Sequence, residues 1–91
     1  MHTITKRIRM NIFELIGSVN KLVEINERCH RCIMRNRETD EDDDMESMRL
    51  ANEILRCVPG ELKDELRCEL FTIRDGKKAH ELVKKLIKIL K

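Results

Sequence analysis

Apolar positions in the first third of the chain recur at alternating intervals of four and three: Ile8, Ile12, Leu15, Val19, Leu22, Asn26, Cys29 and Ile33, with Asn26 the polar exception. That spacing is a heptad repeat and predicts one long helix over residues 3–37. With Ile12, Val19, Asn26 and Ile33 at position a, Ile8, Leu15, Leu22 and Cys29 fall at d. β-Branched residues at a, leucine at the central d positions and a single a-position asparagine suit a parallel two-stranded coiled coil. There a buried Asn is best satisfied by the Asn of an in-register partner. The seam therefore predicts a homodimer. Ile16 and Val23 at e widen the stripe, however, and Phe13 and Ile25 fall off it. A stripe of that breadth suits a bundle helix with several neighbours. The seam can pair two chains while the e side receives the chain's own later helices.

The polar pattern changes abruptly at Glu38-Thr39-Asp40-Glu41-Asp42-Asp43-Asp44. Clustered carboxylates repel and bury nothing, so residues 38–44 are expected as a solvated acidic loop whose end favours a helix N-terminus. Asp40, Asp42 and Asp44 alternate as calcium ligands do, but Met45 stands where the turn glycine belongs and the distal Glu is missing. A second helix follows over 45–58, with Met48, Ala51, Leu55 and Val58 on its inner face and Ile54 beside them. Pro59-Gly60 stops it, since proline disfavours a helical residue before it and has no N–H. A third helix is expected over 61–74, carrying Leu62, Leu66, Leu70 and Ile73 on one face and ended by Asp75-Gly76. A fourth takes 77–91, with Ala79, Leu82, Val83, Leu86 and Leu90 in one stripe among lysines. Short connections fold such helices back on one another. The expected architecture is a single all-α domain over residues 1–91, a small helical bundle completed by dimerisation.

Composition supports this reading. Three Gly and one Pro in 91 residues are too few for a turn-rich β fold, and 41% hydrophobic residues are too many for a disordered tail. A chain this small buries only about 60% of its unfolded surface, which makes a partner useful. No uninterrupted apolar run approaches eighteen residues, so a membrane span is not expected. The lysine-rich last helix has no Trp or Phe to anchor it on a membrane surface. Four cysteines without a recognisable secretory leader are expected as reduced thiols, and the location as intracellular, cytoplasmic or nuclear.

Candidate chemistry is sparse. Cys29 and Cys32 stand three apart on a helix, near enough to share zinc, and Cys57, Cys68 or His80 could complete four ligands, with Cys57 and His80 the first choice. The second tight pair of a zinc site is missing, however, and redox chemistry wants the first thiol at a helix start. No metal or cofactor is expected. No phosphate loop, nucleophile elbow or metalloprotease helix occurs, so the chain is expected not to be an enzyme. The formal charge of +2 divides into +4 over residues 1–38, −6 over 39–46, −1 over 47–76 and +5 over 77–91. Arg28, Arg31 and Arg35 line one helix face, and Lys84, Lys85 and Lys88 another, so phosphate backbones are an alternative partner. No aromatic platform accompanies them. The function expected first is therefore a protein-interaction module, self-associating through the heptad face and offering a groove to another helical protein.

Overall fold

The structure is a computed structural model and describes residues 10–90. Among the described residues four α-helices carry the fold: α1 Ile12–Met34, α2 Glu41–Leu55, α3 Lys63–Thr72 and α4 Gly76–Leu90, with a 3₁₀ turn at Gly60–Leu62. No strand occurs among the described residues. Helix α1 is the hub, meeting α2, α3 and α4, while α2 also meets α3. The core is aliphatic throughout, with Leu15, Val19, Leu22 and Ile25 of α1 packed among residues such as Ile54, Leu66, Leu70 and Leu86.

The helix ends differ from the expected ones, each for a local reason. Helix α1 begins at Ile12, not residue 3, because Asn11 is extended and caps it: its Oδ1 accepts the Glu14 N–H at 2.8 Å. Residues 3–9 of the expected helix, Ile8 included, lie outside the described residues. At the other end Asn36 adopts a left-handed φ of 54°. The Arg37 N–H then donates to the Cys32 carbonyl at 2.8 Å and the Asn36 N–H to Ile33 at 3.1 Å, a Schellman closure. Asparagine tolerates that backbone better than most residues, so the helix stops at Met34 instead of 37.

The acidic segment is largely not a loop. Asp40 caps α2 by accepting the Asp42 N–H at 2.8 Å, and Glu41, Asp42, Asp43 and Asp44 form the first helical turn. Their charges meet the positive end of the helix dipole there, which offsets part of their mutual repulsion. Helix α2 buries Ala51, Ile54 and Leu55 of its expected face but not Met48. Leu50 and Ser47 turn inward with Ala51, Ile54 and Leu55, whereas Met48 is 56% exposed. Its regular turns end at Leu55, three residues before the expected limit, and Val58 is buried just beyond it.

Helix α3 is shorter than expected, and Gly76 does not close it. No glycine among the described residues has a positive φ. Gly76 instead opens α4, which Asp75 caps through the Lys77 N–H at 2.9 Å. The end of α3 is closed from α1: the Asn26 side-chain amide donates to the carbonyls of Leu70 and Ile73, each at 2.9 Å. Terminal helix carbonyls need donors, and a buried end needs them from protein. One side chain therefore fixes α3 against the middle of α1. Helix α4 buries Ala79, Leu82, Val83 and Leu86, as its stripe predicts.

Candidate functional site

The bundle's own packing decides which sequence-selected residues remain available. Of the heptad seam, Leu15, Val19, Leu22 and Asn26 are buried within one chain, Cys29 is half-buried, and Ile12 and Ile33 are exposed at opposite ends of α1. The pairing of Asn26 with a second Asn26 gives way to bonds within the chain, because both donors of its amide reach α3 carbonyls. Ile25, which falls off the seam, is fully buried.

The apolar surface lies elsewhere on α1. Phe13 is 86% exposed, Ile12 52% and Ile16 38%, all within the first two turns. The chain has only two aromatic residues, Phe13 and Phe71, and both are exposed in a protein whose core holds none. Single exposed apolar residues are ordinary, but three contiguous ones centred on an aromatic side chain are the usual mark of a contact surface. The sequence signal was Phe13 standing off the heptad seam. Gly17 follows Phe13 by one turn on the same face of α1 and is also exposed.

The basic positions divide into two groups. Arg28 grips Asp43 bidentately, Nε to Oδ2 at 3.0 Å and Nη2 to Oδ1 at 2.8 Å, tying α1 to the start of α2. Lys85 bridges to α3, 2.9 Å from Glu69 and 3.7 Å from Glu65. Arg31, Arg35, Lys84 and Lys88 are exposed. A groove of about 560 Å³ between α3 and α4 is lined by Arg74, Lys78 and Lys85 but equally by Glu69, Asp75 and Glu81. Its mixed charge selects neither anions nor cations.

The hydrogen bond from Arg28 holds the Asp43 carboxyl below its usual range; partial burial opposes this, and the charges of Arg28 and Lys21 add to it. A carboxylate lowered in the folded state stabilises the fold above the unfolded value near about 4 and loses that contribution as pH falls through the folded value. After discounting for solvent screening, Asp43→Asn is expected to cost at most about 1 kcal/mol at pH 7. In urea melts, the difference from the parent chain should shrink as pH falls below about 4. A difference that stayed constant into that acid range would show that the pair does not act through charge.

None of the four cysteines is in a disulfide, and they do not converge on one point. Cys29 donates to Asp44 Oδ1 at 3.9 Å, at the start of α2, whereas Cys57 lies just past that helix's other end. His80 is on α4. Among the described residues no three His, Cys, Asp or Glu side chains gather into a metal-holding group. Burial pushes the Cys29 thiol up, and the negative charges of Asp44 and Asp43 push it further. Since the thiolate is the nucleophile, iodoacetamide at neutral pH should modify exposed Cys68 well before Cys29. Peptide mass mapping over time checks this, and equal rates would contradict the placement of Cys29.

No helix among the described residues is long and apolar enough to cross a membrane. Comparison with protein-family models, curated protein sequences and solved structures gives no match.

Proposed function

We propose that the chain is a non-enzymatic protein-interaction module that docks, to itself or to another helical protein, through the outer face of the first half of α1. The observation that carries the proposal is Phe13, the most exposed large apolar residue among those described, beside exposed Ile12 and Ile16. An exposed aromatic flanked by aliphatic side chains has the composition of an interface centre. On this reading the docking face lies beside the heptad face of the same helix, whose Leu15, Val19, Leu22 and Asn26 are buried within the chain. An intracellular setting, cytoplasmic or nuclear, goes with four cysteines that form no disulfide. Placing a photoreactive phenylalanine analogue at position 13, with position 84 as control, tests the docking face in both the purified chain and a cell extract. Discrete adducts from 13 and none from 84 are expected; equal capture at both positions, or none at either, would overturn the proposal.

A second reading, association with nucleic acid, is favoured by exposed Arg31, Arg35, Lys84 and Lys88. Two of its six sequence-selected residues, Arg28 and Lys85, are already held by acids of the same chain. Binding to a DNA or RNA duplex should fall steeply with salt and weaken in the charge-neutral Arg31→Gln, Arg35→Gln variant. Absence of binding at low salt would dispose of this alternative.

A further inference from the structure

A different exposed face lies on α2. Glu41, Met45, Met48 and Asn52 follow one another at intervals of four, three and four and are all exposed, so they form one stripe along the outer side of the helix. Met45 and Met48 are each more than half exposed, while Ser47, Leu50, Ala51, Ile54 and Leu55 face the core. Carboxylates surround the two thioethers: Glu41 and Asp42 stand one turn before Met45, and Asp44 one turn before Met48. Residues 38–48 hold seven carboxylates and no Lys or Arg. Among the described residues only Asp43 and Glu46 of these have a cationic partner, Arg28 and Arg49. Arg49, one turn past Met45, is itself held by Glu46 and Glu53. The stripe therefore combines adaptable apolar side chains with negative charge that nothing in the described chain neutralises.

We propose that this face of α2 binds a cationic amphipathic helix of another protein. The partner's apolar side lies on Met45 and Met48, and its Lys or Arg side chains reach Glu41 and Asp42. Methionine has three rotatable bonds and a polarizable sulfur, so it moulds to varied apolar shapes and serves surfaces that accept several helices. The carboxylates choose the sign of the partner's charge and turn away nucleic-acid phosphates and anionic lipid. A partner must then offer apolar and basic groups on one side, which a single helix does at intervals of three and four. From Glu41 to Asn52 the stripe runs about 16 Å, the length of roughly three helical turns. A second copy lacks that combination. Its cationic row on α4, Lys77, Lys84 and Lys88, is exposed, but the apolar residues of that helix, Ala79, Leu82, Val83 and Leu86, are buried. Such a row brings charge without apolar surface. The α2 face is separate from the one around Phe13, so this inference goes beyond the docking proposed there and does not depend on it. Contact through two methionines is small, and the complex is transient and sensitive to salt.

Fluorescence anisotropy tests the proposal, with the purified full-length chain and a labelled synthetic helix of leucine and lysine about 14 residues long. Micromolar binding is expected at low salt, weakening as salt rises. Met45→Gln, Met48→Gln should weaken it about ten-fold, and Glu41→Gln, Asp42→Asn by a similar factor. Glutamine favours helix as methionine does, so the methionine variant should melt like the parent chain. Phe13→Ser should bind as the parent does. A peptide with glutamate in place of lysine should not bind, and one with alanine in place of leucine should bind about ten-fold more weakly. Absence of binding at low salt overturns the proposal. So does unchanged affinity in the methionine variant, full affinity for the alanine peptide, or loss of binding in Phe13→Ser. Light scattering supplies one further outcome. A mass that rises with concentration in the parent chain but not in the methionine variant makes a second copy the occupant and overturns the proposal as well. Cross-linking from position 13 decides the Phe13 face independently of every one of these results.

Discussion

Asn26→Val is expected to destabilise the protein by about 2–4 kcal/mol, because two buried carbonyls lose their donor at once. Both amide hydrogens of Asn26 are used, on Leu70 and Ile73 at 2.9 Å, and the residue is buried. Helix α3 ends there without a glycine closure or a basic side chain in its last turn. Among the described residues no other donor reaches these two carbonyls. In a domain of this size the loss corresponds to a fall of roughly 10 °C or more in melting temperature. A coiled-coil seam predicts the opposite sign, since removing a buried a-position Asn raises stability at the expense of register. Thermal melts followed by circular dichroism separate the two accounts. Asn26→Asp sharpens the test by keeping the size and removing the donors; it should be at least as damaging, because a carboxylate then faces two carbonyl oxygens.

Leu22→Ala carries the other large effect. Leu22 is fully buried in the middle of α1, within the cluster shared by the helices. Truncating such a leucine removes transfer free energy and leaves a partly unrelaxed cavity, at a cost of about 2–5 kcal/mol. Small domains hold only about 5–15 kcal/mol in total, so this variant approaches the limit of folding. Because the cavity lies inside one chain, urea melts at 5 and 100 µM should show the same loss. A loss that shrinks at the higher concentration would place Leu22 between chains instead. Leu86→Ala, in the same cluster but on α4, should behave alike and confirm that α4 shares this core.

Much of the fold was legible in the sequence because it depends on local chemistry. Four helices, the break at Pro59 and the inner stripe of α4 follow from periodicity and turn residues. The middle of the heptad, Leu15, Val19, Leu22 and Asn26, is buried within the chain while Ile12 and Ile33 are exposed, and spacing alone does not distinguish a partner chain from a partner helix. An alternation of three and four serves either purpose. Asn26 was visible as a polar residue in an apolar series, yet its acceptors lie 44 and 47 residues along the chain, beyond any local pattern. The acidic run misled for a different reason. Repulsion among carboxylates argues for a loop, while the dipole of the helix they open argues for its first turn, and the second effect prevails. On α2, Ala51, Ile54 and Leu55 lie on the inner face that periodicity gives, while Ser47 turns inward in place of Met48 by donating to the Asp44 carbonyl at 3.0 Å. The candidate interface was legible only in part. Phe13 stood off the seam, but its exposure depends on where α2, α3 and α4 settle around α1.

The central claim is that one chain closes the heptad stripe by itself and leaves a neighbouring face of α1 for association. The most direct test is the thermal melt of the Phe13→Ser chain at 5 µM and at 500 µM. The substitution removes the proposed docking residue from the surface and leaves the core untouched. The account predicts the same midpoint at both concentrations, since every residue of the buried cluster belongs to one chain. A midpoint several degrees higher at 500 µM would contradict it, because mass action stabilises a fold in that way when its core is shared between chains.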